Sequence, residues 1–356
     1  TISKFAGERF DLVQAGGGNS SVKLPNGTML IKASGVSLSE VEHAQGYATV
    51  DNLKLARIFN DISVRNAKTK KEKELLAKRY VQQVTITPER KPSIETTVHT
   101  LLDTYVLHTH PIVINAIVCR ADWQVILMQL FGCLKPLFIA YKTPGIELAC
   151  ELHEQLKTYQ KKFDQRSIVI FLQNHGLIVS SDDWETVIKQ TNVITEMLEE
   201  WLGMDLAIFR HSNYVSMFVN NVCKTHHIAY ASTDSIIAQV IKTNKGALFI
   251  KPFCPDTLVY CGYCAIEIND ENHQHVIAQY YATYQEPPKV ILYNNNLYFI
   301  ASHVRKAKEC EDVFKFHLLT LQGTNRIACP APINFLQEDE QKYLTNWDAE
   351  KYRQAL

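Results

Sequence analysis

Tyr105-Val106-Leu107-His108-Thr109-His110-Pro111 reads as the end of a β-strand closed by a proline. Tyr, Val and Leu favour a pleated, half-buried surface, and Pro111 cannot donate to a sheet ladder. Side chains in a strand alternate faces, so residues two apart share one face. His108 and His110 can therefore point at a common centre. A third imidazole stands far downstream, in Leu172-Gln173-Asn174-His175-Gly176-Leu177, at the end of the apolar run Ser167–Leu172. Two imidazoles from one strand end and a third from another make a three-nitrogen platform. A divalent metal held that way keeps one position open for water or substrate, as catalytic zinc does.

Upstream lies Pro92-Ser93-Ile94-Glu95-Thr96-Thr97-Val98-His99. Glu95 and His99 are one helical turn apart, on one face of a helix expected over Glu95–Leu102. That helix leads into the histidine strand, so Glu95 supplies a carboxylate suited to proton transfer. Burial beside the platform would raise its pKa. His99 either positions Glu95 or packs within the helix.

Further upstream, Gly16-Gly17-Gly18-Asn19-Ser20-Ser21 precedes strand-like Val22-Lys23-Leu24. It lacks the Gly-Lys-Ser/Thr of a P-loop and opens a strand instead of a helix. Glycines still let backbone N–H groups turn toward an anion, with Asn and Ser adding donors. Pro25-Asn26-Gly27 is a turn, and Thr28–Lys32 pairs back as a hairpin.

Taken in order, Gly16-Gly17-Gly18-Asn19-Ser20-Ser21, Lys32-Ala33-Ser34-Gly35-Val36, Ser93 to Glu95 and His99, His108-Thr109-His110-Pro111 and Asn174-His175-Gly176-Leu177 resemble the class II aldolase/adducin superfamily. The superfamily includes fuculose- and rhamnulose-phosphate aldolases and ribulose-phosphate 4-epimerases. The likeness covers roughly residues 10 to 205. The short stretch from His99 to His108 is most like the aldolase portion of rhamnulose-phosphate aldolase/dehydrogenase fusions. The resemblance implies a three-layer α/β/α fold with a central, mainly antiparallel sheet. It implies zinc on His108, His110 and His175, with Glu95 as acid/base and at times a further ligand. It implies substrate phosphate held by Gly18, Asn19, Ser34, Gly35 and Ser93. Ile94 departs from the small polar residue often found there, which weakens the expected phosphate preference. A homo-oligomer, a tetramer first, is implied as well.

The implied reaction is cleavage or formation of a carbon–carbon bond in a sugar or sugar phosphate. Zinc would polarise the ketose oxygens and stabilise the enediolate, while Glu95 moves the proton. Cobalt, iron, nickel or manganese would also suit three imidazoles. A 4-epimerase, dehydratase or decarboxylase on the same platform stays open. So does a non-catalytic adducin-like protein, which would have no need of the three ligands and the glutamate.

Composition limits the rest. The chain has 356 residues, enough for two domains. Lys+Arg and Asp+Glu number 37 each, a balance that calls for neither nucleic acid nor an anionic membrane. No apolar run reaches the ~18 residues of a membrane span. No apolar leader follows Thr1-Ile2-Ser3-Lys4-Phe5, so a cytoplasmic location is expected. Nine scattered cysteines suggest reduced thiols. Cys261-Gly262-Tyr263-Cys264 reads as two incidental thiols in a turn between strands.

The character changes near residue 205, dividing the chain into 1–205 and a smaller C-terminal α/β domain, 206–356. The first part carries helices at Asp51–Phe59, Asp122–Phe131, Leu148–Phe163 and Trp184–Leu202, and a charge-rich solvated stretch over 62–82. In the last helix Val187, Ile188, Ile194, Met197, Leu198 and Trp201 recur at three and four residues. The second part alternates helical Thr233–Thr243, Asn272–Thr283 and Lys306–Gln322 with strand-like Ala247–Ile250, Thr257–Tyr260, Lys289–Tyr293 and Leu297–Ile300. No G-x-G-x-x-G occurs, so the dehydrogenase half of the fusions is missing. His273-x-His275 repeats the H-x-H spacing, but the preceding Asn269-Asp270-Glu271-Asn272 marks a helix start, not a metal site.

Overall fold

A computed structural model describes residues 1–163, 168–328 and 331–346. They form two compact units, Thr1–Leu206 and the chain from Ala207 onward.

The first unit is built on a seven-stranded sheet. Its strands are β1 (Asn19–Lys23), β2 (Thr28–Lys32), β3 (Tyr47–Asp51), β4 (Tyr105–Thr109), β5 (Leu137–Ile139), β6 (Val169–Leu172) and β7 (Gly176–Ser181). They lie in the order β3-β2-β1-β4-β7-β6-β5, all neighbours antiparallel except β5 and β6. The expected hairpin is β1–β2. The expected strand from Ser167 begins at Val169, and Ser167 itself lies outside the described residues.

Nine helices fall in the described part of this unit: α1 (Ile2–Gly7), α2 (Asn52–Leu55), α3 (Ile62–Arg65), α4 (Lys70–Val84), α5 (Thr96–Thr100), α6 (Ile112–Val118), α7 (Trp123–Phe131), α8 (Ile146–Phe163) and α9 (Trp184–Leu202). They cover both faces of the sheet. Leu107, Phe171 and Val179 point into one apolar cluster with α1, α6, α7 and α9. Their strand neighbours Val106, Ile170 and Ile178 point into the other, with α3, α4, α5 and α8. The result is the expected α/β/α layering. Strands buried on both faces read as unbroken apolar runs, as Val169–Leu172 does.

Helix α9 has the expected bounds. Asp183 caps it by accepting from the backbone N–H of Glu185 and Thr186. Val187, Ile194 and Leu198 are fully buried, each contributing roughly 1.5–3 kcal/mol. Met197 and Trp201, expected on the same stripe, are 43% and 52% exposed and lie toward solvent. The helix expected over Glu95–Leu102 is shorter: α5 begins at Thr96, and Glu95 is its N-cap.

The second unit has a four-stranded sheet in the order β8-β11-β10-β9, with β8 (Ile228–Ala231), β9 (Ile266–Ile268), β10 (Val290–Tyr293) and β11 (Asn296–Ala301). Helices α10 (Ala207–Cys223) and α13 (His273–Tyr284) cover one face. Helices α11 (Ser235–Thr243), α12 (Pro255–Cys261) and α14 (Val304–Thr324) cover the other. Two expected strands are absent. Thr257–Tyr260 belongs to α12, started by Pro255 in its first turn after extended Cys254. Ala247–Ile250 is taken up mainly by a 3₁₀ turn, Lys245–Phe249. No helix among the described residues is long and apolar enough to cross a membrane.

Candidate metal centre

Strand β4 brings its side chains to the face covered by α5. Period-two alternation puts Val106, His108 and His110 on that side of the strand line. β7 runs antiparallel beside β4 with Thr109 opposite Leu177, so His175, two residues before Leu177, arrives beside His110. The turn from β6 to β7 needs Asn174 at φ +52°, a conformation asparagine tolerates. Gly176 follows; a Cβ there would lie 2.2 Å from the carbonyl oxygen of Thr109, so only glycine fits.

The three rings converge. Centroids of His108, His110 and His175 are 4.6–5.1 Å apart, and one nitrogen from each lies within 4.8 Å of the others. Among the described residues this is the only cluster of histidine, cysteine or carboxylate groups spaced to hold a metal ion. The donors are also free to do so. The Nε2 atoms of His108 and His110 are buried without a hydrogen-bond partner. Burial, then the charges of His108 and His175, lower the His110 pKa to about 3. Burial and His108 lower His175 to about 4. Both are neutral imidazoles at neutral pH, the form that binds a metal.

Glu95 stands against this cluster. Its position at the helix cap leaves the carboxylate unused for capping. Oε2 accepts from His108 Nδ1 at 2.8 Å and from the Asn19 amide, and Oε1 lies 3.5 Å from His175 Nε2. Oε1 is buried and has no hydrogen-bond partner. Burial alone would raise the Glu95 pKa, as expected from the sequence. His108, by charge and hydrogen bond, with His175 and His99, outweighs it and holds the group at about 2. The carboxylate is thus ionised, contrary to that expectation.

The remaining predicted residues divide. Asn19 sits opposite His108 across the β1–β4 ladder, which is why its amide reaches Glu95. Gly18, at φ +71°, approaches so closely that a Cβ would be 2.8 Å from the His108 carbonyl oxygen. Ser93 is buried and its hydroxyl accepts from the Glu95 backbone N–H at 3.3 Å. Ser34 and Gly35 form an exposed turn after β2 and touch none of the histidines or Glu95 in any hydrogen bond. His99 is held by Ser21 on β1, Nδ1 to Oγ 2.8 Å, and not by Glu95.

Two features went unread in the sequence. Lys32 is buried between the glycine loop and the Ser34 turn. Its signal was a lysine closing an apolar strand directly before Ser-Gly. Arg9 and Asp11 form a fully buried ion pair. The carbonyls of Asp11 and Leu12 accept from Ile112 and His110 N–H, so this pair underlies the histidine strand end. Nothing in the spacing of Arg9 and Asp11 announces burial. The Cys261-x-x-Cys264 pair stays inert: Cys261 is buried at the end of α12, and burial pushes its thiol well up.

Residues 3–202 match the family model described as Class II Aldolase and Adducin N-terminal domain. No curated protein matches the chain. Among solved structures it is similar to the N-terminal class II aldolase domain of a conserved protein from Thermoplasma acidophilum, at 24% identity and TM-score 0.46, over 56% of this chain and 90% of that one. It is similar to an L-fuculose-1-phosphate aldolase from Thermus thermophilus, at 18% identity and TM-score 0.34, over 56% and 91%. A sugar-phosphate aldolase from Thermotoga maritima is 16% identical, with TM-score 0.38 over 56% and 91%.

Proposed function

The chain belongs to the class II aldolase and adducin family, and on that footing we propose that it is a metal-dependent aldolase. It makes or breaks a carbon–carbon bond in a sugar or sugar phosphate. One observation carries the reading: three imidazoles converge on a buried, ionised glutamate. A non-catalytic protein gains nothing from desolvating that carboxylate.

His108, His110 and His175 would hold the ion, zinc in the first instance, although other divalent transition metals suit three imidazoles. When bound, the metal supplies Lewis-acid polarisation of the substrate oxygens. Glu95 moves the proton. In cleavage it takes the hydroxyl proton and returns it to the carbon freed by bond breaking; in condensation the transfers reverse. Asn19 and His108 fix its orientation. Gly18, Asn19, Ser34, Gly35 and Ser93 bind the far end of the substrate, a phosphate where one is present. The reading assigns a cytoplasmic homo-oligomer, a tetramer first, acting on a small molecule.

Incubation of the zinc-loaded protein with ketose phosphates tests this, by assay for released dihydroxyacetone phosphate. Release is expected. Turnover of a pentulose phosphate to its epimer without release would replace the aldolase by an epimerase.

A further inference from the structure

The second unit holds a cavity that the chemistry just described does not use. Its volume is about 470 Å³, the size of a small-molecule pocket. It lies at the end of the sheet where β8 and β10 begin and β11 ends: Ala301 pairs with Ile228, and the Ile300 N–H donates to the carbonyl of Lys289. The last turn of α12 and the first turns of α14 close it.

Part of the lining is apolar, from Val259, Pro287, Pro288 and Ile300. The rest carries charge of both signs, and these charges do not satisfy one another. Glu286 Oε1 is buried with no hydrogen-bond partner, and only Oε2 meets a cation, the Lys289 ammonium at 3.4 Å. Lys289 is held in turn by the carbonyl of Val259, to which it donates at 2.8 Å. Gly262, at φ +77°, keeps the space beside the carboxylate open, since a Cβ there would lie 3.2 Å from Oε1. Burial raises the Glu286 pKa, and Lys289 opposes the rise. A buried acceptor left unfilled is costly. On α14, Arg305 and Glu309 stand one turn apart, yet among the described residues neither side chain has a partner. Lys306 adds a second cation to that part of the lining.

The mixture of signs selects the ligand. A phosphate or other plain anion would face Glu286 and Glu309. A metal ion or a simple amine would face Lys289, Arg305 and Lys306. A molecule with both charges avoids either repulsion and fills both sets of groups. We propose that this cavity binds a free α-amino acid with an apolar side chain: Glu286 receives its ammonium, Arg305 and Lys306 its carboxylate, and Val259, Pro287, Pro288 and Ile300 its side chain. The proposal is independent of the aldolase reading.

The test is calorimetric titration of L-leucine and L-phenylalanine into the full chain. L-leucinamide, which lacks the carboxylate, and isocaproate, which lacks the ammonium, are titrated beside them. Binding of at least one amino acid is expected, and for L-leucine it should weaken about tenfold or more in both analogues and in Glu286→Gln. Arg305→Gln changes an exposed side chain and should weaken amino-acid binding about threefold; it also serves if Glu286→Gln fails to fold. Amino acids chelate zinc, so the titration is repeated in His108→Ala with His110→Ala, where the affinity should be unchanged. No binding of either amino acid up to about 10 mM, analogues that bind as tightly as L-leucine, or unchanged affinity in Glu286→Gln would each overturn the proposal. Loss of binding in the double histidine variant would place the ligand at the metal centre and overturn it as well.

Discussion

His108 and His110 stand two residues apart, and so do His273 and His275, yet the two pairs share nothing else. The first pair ends a strand, where a spacing of two returns to the same face. The turn into β7 then adds His175, and the cap of α5 adds Glu95. The second pair opens helix α13, where two residues turn the direction by about 200°. His273 stacks on Phe218 at 3.8 Å and bonds the Asp270 carbonyl, while His275 is exposed. Spacing becomes geometry only through the element that carries it.

The sharpest way to break the contrast is through Glu95, because the second pair has no counterpart to it. Glu95→Gln keeps the shape and removes the basicity. Turnover should fall about 10²–10⁴-fold while metal content stays near one per chain, since three imidazoles remain. Steady-state kinetics beside elemental analysis reads both. Full activity would remove Glu95 from the mechanism, and loss of metal would make it a ligand first.

The next effect is on stability. The histidine strand end rests on the buried Arg9–Asp11 pair, whereas His273 and His275 rest on a helix start. Arg9→Met leaves Asp11 buried without its counter-charge. About 3–5 kcal/mol should be lost in urea unfolding. A change within about 0.5 kcal/mol, the size of an ordinary surface substitution, would show the pair to be dispensable. Removing the second pair, in His273→Ala with His275→Ala, should be the mildest change. It gives up one ring stack, about 0.5–1.5 kcal/mol in thermal melts, and no activity. A loss of turnover would give that pair a role it lacks here.

Much of this was legible because local and tertiary signals agreed. Asp183 and the apolar period define α9, and Tyr105-Val106-Leu107 defines the strand that aims the histidines. Short apolar runs were not legible. Leu258-Val259-Tyr260 suits strand or helix, and Pro255 at the first turn of α12 decided for helix. Ile228–Ala231 drew no strand expectation, yet it forms β8 because β11 offers it a ladder. Met197 and Trp201 recur with the buried stripe of α9 in sequence, yet they are exposed. In the site, residue types and spacing pointed to Glu95 and the histidines. The direction of the Glu95 shift was misread because it depends on three histidines close by in space. Lys32 was missed because its burial needs two turns that meet only in the folded chain.

The most direct test sets the two pairs side by side. Metal content per chain is measured by elemental analysis on protein purified without chelators, for the parent, for His108→Ala with His110→Ala, and for His273→Ala with His275→Ala. The account predicts about one divalent ion in the parent and in the second double variant, and near none in the first, where only His175 of the ligand set remains. Unchanged metal in the first variant, or its loss in the second, would contradict it.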